Sequence, residues 1–222
     1  MKTKTLFLAI FILILLSFSN RINAQSVSAN AVRIGNQVWA SVNLDVTSFR
    51  NGDPIEEAES DSAWNKATED SKPAWCYNKV DSVNGKICGK LYNWYAVNDP
   101  RGLAPKGWHI PTREEWIILL FDKGTERDAN NYKSSTGWKT DPEGHDSTGN
   151  GNNSTGLSVY PGGYRDYDAT SFQRTGEYGF FWTASHYDDS SACDWHFSNV
   201  GTQTGNGNYA KGCGLSVRCI KD

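Results

Sequence analysis

Aromatic and polar side chains interleave through the C-terminal half of this chain: Tyr164, Arg165, Asp166, Tyr167, His186, Tyr187, Asp188, Asp189, Trp195 and Tyr209. Rings of this kind offer flat apolar faces to a sugar or to a protein anchor, and neighbouring charged and imidazole groups fix its orientation. Tyr164, Arg165, His186, Tyr187, Asp188, Trp195 and Tyr209 are therefore the candidate ligand-binding residues. Trp182 reads as core, and Arg165 and Arg218 stand equally as internal salt-bridge formers. A second chemistry lies in the oxygen-rich run of Asp141, Glu143, Asp146, Asn150, Asn152 and Asn153, whose hard ligands are the type calcium takes. Asp141, Asp146 and Asn150 are the calcium candidates, weighed against a plain solvated loop; no other cofactor is indicated. The four histidines, at 109, 145, 186 and 196, stand in no recognisable motif, and no nucleophile with its base or paired carboxylates shows in the spacing. No catalytic residue is assigned, and binding is favoured over catalysis.

Five cysteines, Cys76, Cys88, Cys193, Cys213 and Cys219, supply the remaining chemistry. Cys76 and Cys88 flank the turn-rich stretch from Asn78 to Gly85, and Cys193 and Cys213 flank a Gly/Asn-rich excursion. Both spacings suit a bridge across a hairpin, leaving Cys219 over; a Cys193–Cys219 pairing with Cys213 free is the alternative. Without a Cys-x-x-Cys or a His-rich cluster, metal binding by these thiols is the poorer reading.

The elements that must position these groups are short. Gly35-Asn36 between Val32-Arg33-Ile34 and Gln37-Val38-Trp39 predicts an opening β-hairpin. A short helix is predicted within Glu56 to Ala67, capped by Asp61 or Ser62. Gly89 to Val97 reads as a buried aromatic strand. Thr112 and Glu115 have capping-box spacing, and Trp116, Leu119 and Leu120 follow as one buried helical face, with Gly124 placed to end the helix. Thr140 to Gly156 cannot build a core and reads as a surface loop. Strands are predicted at Leu157–Tyr160, Gly179–Ser185, Asp194–Phe197 and Leu215–Ile220, the last with Leu215, Val217 and Cys219 on one face.

The N-terminus carries Lys2 and Lys4, an apolar run from Leu6 to Leu16, and then Asn23-Ala24-Gln25. This is the layout of a secretory signal peptide spanning residues 1–24, with the run well short of the roughly 20 residues of a membrane span. No Cys lies near the cleavage point to carry a lipid. The expected mature chain, residues 25–222, is one domain that works outside the cytoplasm: secreted, at the cell surface or in the periplasm. Loss of Lys2, Lys4 and Arg21 leaves 19 basic residues against 25 acidic, a net charge of −6. An acidic chain of this kind is a poor partner for nucleic acid or anionic lipid. Oxidising surroundings make disulfides the default for its cysteines, and nine Trp, ten Tyr and nine Phe beside 21 Gly point to many short strands and long loops.

In order along the chain, Ile34-Gly35-Asn36-Gln37-Val38-Trp39, Asn43-Leu44, Gly89-Lys90-Leu91-Tyr92-Asn93-Trp94-Tyr95-Ala96-Val97, Gly107-Trp108-His109-Ile110-Pro111-Thr112 with Glu115-Trp116, Gly162-Gly163-Tyr164-Arg165, Phe181-Trp182-Thr183-Ala184-Ser185 and Ser216-Val217-Arg218-Cys219 resemble the Fibrobacter succinogenes major paralogous domain. The block from Gly107 to Trp116 and the closing Val217-Arg218-Cys219 also resemble the formylglycine-generating-enzyme-like branch of the C-type lectin fold. This resemblance implies an α+β, C-type lectin-like domain with two short helices, short antiparallel sheets, paired N- and C-terminal strands and long loops. The interleaved aromatics carry the first expectation, an exported non-enzymatic recognition domain for a glycan or protein; the alternatives are a thiol oxidase built on Cys213 and Cys219, for which the resemblance implies copper, and a structural part of a surface assembly. Ala104 stands where many relatives have a Cys, which removes the usual partner of Cys219, and Ala40 replaces a common Met.

Overall fold

The computed structural model describes residues 30–80, 87–122, 124–140, 149–168 and 171–222. The predicted signal peptide lies outside the described residues. β1 (Ala31–Ile34) and β2 (Gln37–Ala40) form the expected hairpin, with Ile34 opposite Gln37 and Gly35 taking the left-handed φ of +59° that the tight turn requires. β3 (Glu56–Glu57) precedes α1 (Asp61–Glu69), whose N-cap is Ser60, one residue before the predicted Asp61; its side chain accepts from the Ala63 amide. β4 (Ala74–Tyr77) and β5 (Lys90–Tyr92) pair antiparallel, while β3 runs parallel to β4.

The predicted strand over Gly89 to Val97 breaks after Tyr92. Asn93 caps the single-turn helix α2 (Trp94–Val97) by accepting from the Ala96 amide, which makes three α-helices, beside a 3-10 turn at Ala129–Asn131, among the described residues where two helices were expected. β6 (Trp108–His109) leads into α3 (Arg113–Leu120), where Thr112 and Glu115 close the predicted capping box. The helix ends earlier than Gly124. Phe121 is already extended, its ring 6.3 Å from that of Trp195, and Gly124 instead turns β7 (Phe121–Asp122) into β8 (Thr125–Glu126) with φ +81°.

β9 (Tyr164–Arg165) pairs with β10 (Phe172–Gln173), and β11 (Tyr178–His186), β12 (Ser191–Ser198) and β13 (Thr204–Ala210) form an antiparallel meander. β14 (Ile220–Lys221) inserts between β2 and β6, so the N-terminal hairpin and the C-terminal strand share one sheet, order β1-β2-β14-β6. Two predicted strands shrink. Leu157–Tyr160 makes only a bridge from Val159 to Lys133, because Ser158 adopts φ +55° and cannot continue an extended run. Of Leu215–Ile220 only the end is ladder, although Leu215, Val217 and Cys219 do share one core cluster while Ile220 faces the other.

Period-two alternation splits the interior. Phe180 and Trp182 of β11 enter a core with Trp75, Tyr92 and Trp94, whereas Phe181 of β11 and Trp195 and Phe197 of β12 enter a second core with Trp39 and Trp116. Each fully buried ring contributes about 1.5–3 kcal/mol.

No disulfide joins Cys76 to Cys88 or Cys193 to Cys213. Cys76 faces the interior beneath α1 in a third cluster with Trp64, beside the Arg165 guanidinium. Cys193 lies on β12 against the His186 carbonyl, and Cys213 packs in the Phe180 core, so neighbours in sequence enter different packing environments. Cys193–Cys219 is not formed either. Ala104 lies in the same cluster as Cys219, where the expected cysteine partner is missing.

His109 clamps the end of the chain to α3: Nδ1 meets Asp222 Oδ1 and Nε2 meets Glu115 Oε1, both at 2.8 Å. Burial disfavours the imidazolium, but the hydrogen bonds and charges of Glu115 and Asp222 outweigh it and hold the pKa above the ordinary 6.5. A raised folded pKa means that the clamp stabilises fully below about 6.5 and is lost as pH rises through the higher folded value. The melting temperature of the wild-type protein should therefore exceed that of His109→Gln at pH 6 by more than at pH 8.5. Equal differences at both pH values would show that the clamp carries no charge.

Candidate functional site

The predicted binding residues fall into three places. Trp195 belongs to none of the surface: it is 1% exposed, its ring stacked 6.4 Å from Trp116. Strand parity explains the correction, since Trp195 alternates with Asp194 and His196 and points to the opposite face. Arg165 is equally internal. Its guanidinium donates to the Ala58 carbonyl and to Asp61 Oδ1 and lies over the Trp64 ring, a buried cation paired with an exposed carboxylate that ties β9 to α1. His186, Tyr187 and Asp188 sit at the β11–β12 turn. There Asp188 Oδ1 accepts from the amides and hydroxyls of Ser190 and Ser191, and the Ser191 hydroxyl first among these holds its pKa down to about 2. That carboxylate oxygen shapes the turn. Tyr187 is exposed, and the His186 ring stands edge-on to Trp94.

Tyr164 and Tyr209 do come together, 5.1 Å between ring centroids, and both meet Phe180 at 5.3 Å. Tyr178 stacks on Phe180 at 5.2 Å, and the His196 ring lies 5.4 Å from Phe180 and 6.0 Å from Tyr178. This aromatic face spans β9, β11, β12 and β13. Burial raises the hydroxyl pKa of Tyr164 and of Tyr209, Asp166 adding to the first and Asp194 to the second, so both stay protonated as hydrogen-bond donors. Tyr178 and His186 are eight strand steps apart, roughly 26 Å at about 3.3 Å per residue, so one small ligand cannot touch both ends.

His196 has a defined orientation. Its Nδ1 lies 2.8 Å from Asp194 Oδ2, which fixes the ring plane and aims Nε2 away from that carboxylate, and Asp194 is fully buried, its Oδ1 meeting no donor among the described residues. Gly205 stands opposite His196 in the ladder, and a Cβ there would collide with Nε2. Parity in Asp194-Trp195-His196 could have revealed this pair from sequence, since choosing Trp195 for one face places its two neighbours on the other.

Beside Tyr178 the surface opens into a cavity of about 670 Å³, lined by Lys139, Thr140, Arg174, Glu177, Tyr178, Asn199 and Val200. That volume is within the range of small-molecule sites. Glu177 pairs with Arg174 Nη1 at 3.1 Å and lies 3.5 Å from Lys139 Nζ. None of these lining residues was among the sequence candidates. Charged residues in turns carry no periodic signal, and Lys139 and Arg174 are 35 positions apart.

Of the calcium candidates, Asp141 and Asp146 lie outside the described residues, and Asn150 Oδ1 accepts from the Trp138 amide. Asn152 and Asn153 use their oxygens on the amides of Ser154 and Ser158. Among the described residues no group of three or more His, Cys, Asp or Glu side chains is placed to hold a metal ion. No helix among them is long and apolar enough to cross a membrane.

Together these features define an α+β protein of mainly short antiparallel sheets, with an aromatic face whose Tyr178 borders a charged cavity. A model of the Fibrobacter succinogenes major domain matches residues 32–221, and the chain belongs to that family. Comparison with curated proteins and with solved structures gives no match.

Proposed function

We propose that this is an exported, non-enzymatic recognition domain that binds a saccharide at the bacterial surface or in the periplasm. The carrying observation is the partly exposed face of Tyr164, Tyr178, His196 and Tyr209, of which Tyr178 also lines the cavity. Stacked rings suit the apolar face of a sugar, and an oriented imidazole with two phenolic hydroxyls suits its hydroxyl groups. The shared sheet of N- and C-terminal strands and the long loops support a C-type lectin-like reading of the fold. The thiol-oxidase alternative is weakened by burial, which pushes Cys213 and Cys219 up to about 12, where neither is a thiolate at neutral pH.

On an array of bacterial and plant saccharides, the exported protein should bind a defined subset. Tyr178→Ala should weaken that binding about tenfold, Tyr178→Phe should retain it, and Tyr187→Ala, at the far end of the sheet, should leave it unchanged. Binding lost in Tyr187→Ala but kept in Tyr178→Ala would move the site to the β11–β12 turn.

A further inference from the structure

We propose that the cavity beside Tyr178 takes the carboxylate of an acidic saccharide, of the uronic-acid kind, on Arg174. This deepens the saccharide reading above and rests on it. In a chain with more acidic than basic residues, 25 against 22, the described lining reverses the balance: Lys139 and Arg174 face the single carboxylate of Glu177. Among the described residues Glu177 occupies only Nη1 of Arg174, leaving the other guanidinium donors for a ligand. A planar fork of donors matches a carboxylate better than a point cation does.

The backbone supports the assignment. Arg174 adopts φ +58°, a left-handed conformation that costs a side chain and that glycine would take freely. Strain of this kind, held by surrounding structure, collects at ligand sites. Around it the cavity is shaped in advance. A Cβ at Gly176 would come within 2.8 Å of Lys139 Cγ, so the absence of one lets the lysine stem lie across the turn. Asn199 donates Nδ2 to the Lys139 carbonyl, which leaves its Oδ1 to accept from a sugar hydroxyl, while Arg174 lies 5.9 Å from the centroid of the Tyr178 ring, the apolar platform.

The test is calorimetric titration of the full exported protein with oligogalacturonate, with the neutral galacto-oligosaccharide of equal length, and with a sulfated galactan. The expected result is a preference of about tenfold for the carboxylate sugar over the neutral one, weakened by added salt. In Arg174→Gly that preference should fall about tenfold while the melting temperature holds or rises, because glycine relieves the backbone. Glu177→Gln should strengthen oligogalacturonate binding roughly threefold by removing the competing carboxylate. Equal affinity for acidic and neutral sugars, unaltered in Arg174→Gly, would overturn the inference and leave the saccharide reading standing. Equal preference for the sulfated galactan would overturn the carboxylate assignment. Binding of no saccharide of any class would overturn both.

Discussion

Arg218→Met should lose about 3–5 kcal/mol of stability, enough to populate the unfolded state of a domain of ordinary stability. The side chain is fully buried, and it donates from Nη1 to the carbonyls of Ala40 and Leu157 and from Nη2 to the Ser158 carbonyl and to Asn43 Oδ1. No carboxylate pairs with it among the described residues. Burial pulls its pKa down to about 9, which still leaves it charged at neutral pH. The expectation of a salt bridge is thus replaced by a charge compensated through oxygen dipoles and the Phe181 ring, whose centroid lies 5.6 Å from Arg218 Cζ. Methionine fills similar volume but strands these acceptors, each costing about 1–3 kcal/mol when buried and unmet. Lysine keeps the charge yet presents a compact ammonium, so Arg218→Lys should fall between, near 2 kcal/mol. Equilibrium urea unfolding measures both; a loss below about 1 kcal/mol for Arg218→Met would show that water replaces the guanidinium.

Trp116→Ala should cost a similar amount, about 3–5 kcal/mol, by emptying the centre of the second core. Trp116 is fully buried, with ring centroids of Trp39 at 4.7 Å, Phe181 at 5.5 Å, Phe197 at 6.2 Å and Trp195 at 6.4 Å. Among the described residues its Nε1 meets no acceptor, and the indole is held by packing. Trp116→Phe should therefore cost well under half as much, because it gives up ring volume and also removes an unmet buried donor. Thermal or urea unfolding of the two variants decides the matter: equal losses would mean that the indole nitrogen has a partner in solution.

Much of the local structure was legible. Gly35-Asn36 announced a hairpin because only certain residues accept its turn geometry, and Thr112-x-x-Glu115 announced α3 because both capping bonds join residues three apart. The family too was legible, in short motifs kept in order along the chain, and the match over residues 32–221 agrees. The site was less so. Residue type points to Tyr164 and Tyr209, which do meet, and equally to Trp195, which strand parity turns inward, and it gives no signal for His196, Tyr178 or Arg174.

By itself, then, the sequence determined the turns, the caps and the alternation of faces within each strand, since these depend on residues a few positions apart. Only the tertiary structure decided that the candidate cysteine pairings stay unmade, that Arg165 closes onto Asp61 over a hundred positions away, and that Lys139 and Arg174 share a cavity. Those outcomes depend on which loops and strands become neighbours. Neighbourhood is set by the summed burial of many rings rather than by any spacing along the chain.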